Sequence, residues 1–309
     1  MPYKNISEHE IMTREGKIKI QPGATIYTAE EKEIYKKIKE KESINEQIHI
    51  DSYNHGGFTF LRTVNSAMEK MKPETVGRLV YLSTYLDFGS NRLMAEPDRQ
   101  MKKNDLQYFL GIGKTRVWNF CDECVEQGIM TIDDEKFLFL DDIFFKGKSS
   151  DKNRIKLYSK TIQSLYKHMP AKHHKYFGYV IQLVPWINYE WNIICKNPDE
   201  RDKDKVVPWT MKEICRFANY NDEHTKRFKE AILKCCFEWK GEPVSMCGQL
   251  FTGNKDEIVD GLVVNPHLVF YGTDFKKVEG IAIFFTPHDK EFLEKFKNVN
   301  IKDINTKVK

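Results

Sequence analysis

Lys114, Thr115, Arg116 and Asn119 follow a tight Gly111-Ile112-Gly113 turn. With Val117 facing inward, a helical rotation of about 100° per residue puts these polar side chains outward. A guanidinium there can pair with guanine or a phosphate, an Asn amide can make two hydrogen bonds to adenine, and an ammonium can neutralise a phosphate. The plainer alternative is a solvated helix face, and the neighbouring Asp122 and Glu123 confine any polyanion contact to the first turns.

A second group has the same character. Lys226, Arg227 and Lys234 share an outward side with Glu230, behind a turn that carries Asp222 and Glu223 where the first group has Lys114 and Thr115. Between the two, residues 146–175 hold nine lysines and arginines against Asp151 alone, in a chain whose net charge is only +4. Lys152, Arg154 and Lys156 in that stretch could track phosphates, each neutralised phosphate steepening the salt dependence of binding; the alternative is a soluble linker.

Other residue patterns do not hold up as chemistry. Gly111-Ile112-Gly113-Lys114-Thr115 looks like a nucleotide-binding loop, yet the glycine such a loop needs at 108 is Tyr108. Cys121 and Cys124 have the spacing of half a zinc site with no second pair to complete it, and both fit an apolar helix face. His173-His174 and Cys235-Cys236 are adjacent pairs that diverge on a helix. Trp186, Trp191, Trp209 and Trp239 sit in or beside apolar stretches, which favours core packing over stacking on unpaired bases. No nucleophile, base and orienting acid come together, so neither catalysis, nor a metal, nor a cofactor is expected.

The elements that must position these residues are duplicated. Residues 77–88 lie over 178–189 at a constant shift of 101, so that Leu79, Val80, Leu82, Tyr85, Leu86 and Phe88 meet Val180, Ile181, Leu183, Trp186, Ile187 and Tyr189. The apolar spacing predicts a core helix in each copy, with Pro73 near the start of the first. Short helices follow, capped by Asn104 and Thr210 and stopped by Gly111 and Asn219. A third helix begins at Lys114, with Val117, Phe120, Cys121, Cys124 and Val125 inward; Phe228, Ala231, Ile232, Cys235 and Cys236 repeat the pattern. Residues 129–140 alternate around Asp133-Asp134-Glu135-Lys136, as a hairpin carrying Lys136 at its tip would. In the second copy the strands are expected at 244–246 and 261–264, joined by a longer polar loop.

Helix, short helix, turn, longer helix and hairpin is the order of a winged helix-turn-helix. The first copy, notably Asn104-Asp105-Leu106 through Leu110-Gly111-Ile112-Gly113-Lys114-Thr115-Arg116-Val117 and Gly128-Ile129, resembles the winged-helix proteins of plasmids and phages of Gram-positive bacteria, both replication-initiator-like and transcription-regulator-like. The resemblance covers 58–148 well and 172–272 loosely. It implies sequence-specific binding of double-stranded DNA, with Lys114, Thr115, Arg116, Asn119 and Lys136 in contact.

The expectation is therefore an α+β, mainly helical chain of tandem winged helix-turn-helix domains joined by a basic helical connector. Its divisions are an arm at 1–57, with a cap at Thr28-Ala29-Glu30-Glu31 opening a Lys/Glu-rich helix; a first domain at 58–148; a connector helix at 149–171; a second domain at 172–275; and a strand, helix and tail at 276–309. Seven cysteines and no long apolar run point to reduced thiols in the cytoplasm of a bacterial host, away from membranes. A homodimer and a host or phage protein partner stay open, as does a non-enzymatic protein-interaction role for the same scaffold.

Overall fold

The computed structural model describes residues 10–13, 16–19, 32–34, 36, 37, 39, 55–63, 66–133, 136–139, 143–147, 153–254, 257–272 and 285. The Thr28-Glu31 cap, Lys152 and the expected strand, helix and tail after 276 lie outside them, Phe285 excepted. The chain is α+β and divides into two compact units, 1–49 and 50–309. In the first, β1 (Glu10–Thr13) and β2 (Gly16–Lys19) form an antiparallel hairpin.

The second unit is organised by its duplication. β3 (Phe58–Arg62) leads through α1 (Ser66–Lys70) into α2 (Pro73–Ser83). There follow a small ribbon of β4 (Met94–Glu96) and β5 (Arg99–Gln100), then α3 (Asp105–Leu110), α4 (Lys114–Glu126), the hairpin β6 (Met130–Asp133) and β7 (Lys136–Phe139), and β8 (Phe144–Phe145). The second pass runs from β9 (Arg154–Tyr158) through α5 (Ser159–His168) and α6 (His174–Gln182) to α7 (Met211–Phe217) and α8 (Thr225–Leu233). Two hairpins follow, β10 (Cys236–Trp239) with β11 (Glu242–Ser245) and β12 (Cys247–Asn254) with β13 (Glu257–Val264), before the short β14 (Val269–Phe270).

The two passes meet reciprocally. Their first strands pair antiparallel at the centre of a four-stranded sheet ordered β14-β9-β3-β8, so each pass closes with a strand on the outer edge of its own first strand. Alternation puts Thr59, Leu61, Ile155, Leu157, Phe144 and Val269 on the core face. Against that core α2 and α6 cross at Gly77 and Gly178, which are 101 residues apart. A methyl on Gly77 would meet the His174 carbonyl oxygen at 2.6 Å, while one on Gly178 would fall inside the Pro73 carbonyl; Pro73 and His174 are again 101 apart. Such reciprocal contacts are those of a two-fold interface built within one chain. After each crossing helix the same bridge recurs, Leu86 with Leu93 and Ile187 with Ile194. One continuous apolar core runs through both passes.

Several expectations are corrected. The basic connector is not one helix over 149–171: the alternating Arg154-Ile155-Lys156-Leu157-Tyr158 buries Ile155 and Leu157 as the strand β9, and only α5 is helical. This segment opens the second pass and pairs with the strand that opens the first. Asn104 has helical backbone and caps nothing; Asp105 accepts from the Lys102 amide at 2.8 Å and from Arg99 at 2.8 Å instead. Thr210 does cap, reciprocally with Glu213, and Gly111 and Asn219 adopt the left-handed conformation. The strand at Glu242–Ser245 pairs with β10, not with β13. Lys240 and Gly241, at φ of +52° and +83°, make the tight two-residue turn that favours this pairing. Cys236 thus belongs to a strand and Cys235 to the turn before it, rather than to the third helix.

Candidate nucleic-acid interface

α4 turns Val117, Phe120, Cys121 and Cys124 into the core, and Lys114, Thr115, Arg116 and Asn119 to solvent. Val125, expected inward, is 46% exposed. The first turn holds no acid, and Gly113 supplies no side-chain cap. Two cations therefore stand at the positive end of a helix whose first amides lack a side-chain acceptor, an arrangement that an incoming anion relieves. Lys136 occupies the first position of β7, opposite Asp133.

Glu123 does something the sequence did not reveal. Its carboxylate reaches across to the start of α2, accepting from the Lys72 amide at 2.6 Å and from the Thr75 hydroxyl at 2.7 Å. No local side chain caps α2, so a residue of α4 does so. Glu123→Ala should cost about 1–2 kcal/mol in urea unfolding, and Glu123→Gln, which keeps one acceptor, about half as much. An unchanged midpoint for Glu123→Ala would remove the cap from the account.

Arg116 and Asn119 also line a cavity of about 370 Å³ together with Lys72, Arg78, Lys172 and Lys175. Lys172 and Lys175 come from the basic stretch 146–175, so the fold does bring part of it to α4. Arg154 and Lys156 go elsewhere. They lie half-buried on the outer side of β9, with the Arg154 guanidinium 5.1 Å from the Phe145 ring and Lys156 donating to the Gly272 carbonyl at 2.8 Å.

In the second pass α8 buries Phe228 and Ile232 and exposes Lys226 and Arg227 in a first turn that again holds no acid. Lys234 is exposed at its C-cap. The acidic turn before it is partly neutralised, because Arg216 pairs with Asp222 at 3.2 Å. Lys229 is taken by Asp260 at 2.7 Å.

Sequence reasoning missed Trp118. It is 47% exposed on α4, with the Lys103 ammonium 3.4 Å from its ring centroid, and Tyr108 on α3 is 62% exposed. The only signal was an outward position in the helical register, with Lys114, Thr115 and Asp122 one turn away on the same side of α4. All seven cysteines are buried and free, and burial raises the Cys121 thiol to about 11 and Cys124 well above its ordinary value. These thiols serve packing. Among the described residues no cluster of His, Cys, Asp and Glu could hold a metal, and no helix is long and apolar enough to cross a membrane.

Comparison of the chain with protein-family models, curated proteins and solved structures returned no match.

Proposed function

We propose that this chain binds duplex DNA sequence-specifically through two winged-helix units and acts as a replication initiator or transcription regulator of a plasmid or phage in the cytoplasm of a bacterial host. The observation that carries the reading is the duplicated third helix: α4 and α8 each bury one apolar stripe and present exposed cations, Lys114 and Arg116 or Lys226 and Arg227, in an acid-free first turn. Base contact from the first turns of such a helix is the usual docking geometry in a major groove. The reciprocal crossing of α2 and α6 relates the two units as a dyad would, so the preferred site should contain two half-sites of opposite sense about one helical turn apart.

Fluorescence anisotropy on fragments of the parental replicon, titrated with salt, tests this. Binding should weaken steeply as salt rises. Arg116→Ala should cost about 1–3 kcal/mol on the preferred site and much less on random DNA, and Lys226→Ala should weaken both alike. No binding at low salt would overturn the proposal. It would favour a second reading, a protein-interaction module, which the exposed Trp118 and Tyr108 support because aromatic residues are enriched where proteins dock.

A further inference from the structure

The cavity beside α4 has a composition that DNA reading does not by itself require. Five cations line it, and the two carboxylates there are unequal: Glu123 has both oxygens engaged by the start of α2, leaving Glu74 as the other acid. None of the five cations has an ion pair among the described residues.

Arg78 is the telling member. It stands on the crossing helix α2, only 8% exposed, and its Nε has no hydrogen-bond partner. A buried guanidinium without a counter-charge costs several kcal/mol; its neighbour Tyr166 accepts a hydrogen bond from it but supplies no counter-charge, since that hydroxyl is neutral and donates its own proton to the Leu110 carbonyl at 3.0 Å. The lining carries more cations than carboxylates, five against Glu74 and Glu123. Burial and then Arg78 hold the His174 imidazole down to about 4, and burial and then Lys172 and Lys175 lower His173. The first turn of α6 opens on the same space with no side-chain cap and no acid, adding the positive end of a nine-residue helix.

We propose that this cavity is a phosphate-binding pocket, with Arg78 at its floor and Lys172 and Lys175 at its rim, taking a phosphoryl group either from a nucleic-acid backbone or from a free phosphorylated small molecule. Guanidinium and ammonium groups around a helix N-terminus match the charge and hydrogen-bonding capacity of a phosphoryl oxygen set. Because Arg116 and Asn119 line the same space, a free ligand there competes with a duplex for α4. The pocket stands whether or not the chain reads DNA.

The full-length chain is titrated calorimetrically in chloride buffer with inorganic phosphate and with 5′-AMP, and backbone-ethylation interference is measured on its preferred duplex. The variants are Lys172→Gln with Lys175→Gln, and Arg78→Gln, with thermal unfolding to check their folding. Saturable one-to-one binding of phosphate or 5′-AMP, weakened at least about tenfold in the double variant, as expected for lost charge-assisted bonds, supports a free ligand. No free-ligand binding, with one ethylation-sensitive backbone phosphate whose effect disappears in the double variant, supports the duplex as source. Absence of both results overturns the pocket, and in a chain that binds no DNA the free-ligand titration decides alone. Should Arg78→Gln fail to fold, the lysine variant carries the test. Loss of DNA binding with phosphate binding intact would overturn the proposed function and leave the pocket standing.

Discussion

Gly178→Ala should abolish the cooperative native state or lower its stability by at least about 4 kcal/mol, at the extreme of single substitutions. The added methyl would overlap the Pro73 carbonyl and come within 2.9 Å of the Pro73 α-carbon. Backbone cannot swing aside as a flexible side chain does, so α2 and α6 would have to separate. Val76, Leu79, Val80, Phe177, Val180 and Ile181 on the two helices are all buried, and separation would open voids in a close-packed core. Alanine is the better helix former by only about 1 kcal/mol, which does not offset this. Gly77→Ala, meeting the His174 carbonyl at 2.6 Å, should destabilise less, and Gly113→Ala, with nothing within 4 Å of the new methyl, should be close to neutral. Urea unfolding followed by circular dichroism ranks the three. A Gly178→Ala protein as stable as the parent would mean that the two passes do not share this crossing.

That crossing was half visible in the sequence. The shift of 101 aligns Gly77 with Gly178, and the apolar spacing around them is enough to predict both helices. What spacing could not supply was their contact with each other, because a helix buried on nearly all sides gives the same pattern whichever neighbour covers it. The start of the second pass was obscured for a different reason. Its strand alternates arginine and lysine with isoleucine and leucine inside a strongly basic run, and the charges drew attention away from the period of two. β3, its partner, lies far upstream, and pairing across that separation leaves no local mark. Much of the candidate site was legible: Lys114, Thr115, Arg116 and Asn119 are exposed as the helical register requires. The cap from Glu123 to α2 and the burial of Arg78 were not, since each depends on residues distant in the chain. Lys240-Gly241 was a local signal of a tight turn, overshadowed by the polar loop expected over 252–260, where the chain instead continues β12 and β13.

Acidification should destabilise the protein well before its carboxylates titrate. Two histidines are held neutral: burial, with Arg78 as the next cause, brings His174 down to about 4, and burial, with His55 and then Lys240, brings His267 to about 3. His174 stacks on the Tyr166 ring at 4.0 Å, and His267 on Trp239 at 4.3 Å with His55 3.1 Å from its Nδ1. The causes that shift the two imidazoles include like charges, Arg78 and His173 at His174 and His55 and Lys240 at His267. An unfolded histidine titrates near 6.5, so below that value the unfolded chain binds more protons than the folded one. Stability from each lowered histidine is therefore complete above about 6.5 and is lost as the pH falls toward the folded values. By pH 5 each should have forfeited about 2 kcal/mol, a large part of the margin of an ordinary domain. Urea midpoints measured from pH 7.5 to 5 should fall with a slope approaching two protons taken up on unfolding, and His174→Gln and His267→Gln should each remove about one. A midpoint that holds level to pH 5 would show that both imidazoles can be charged within the fold, and the positive field inferred around Arg78 would then have to be weaker than its burial implies.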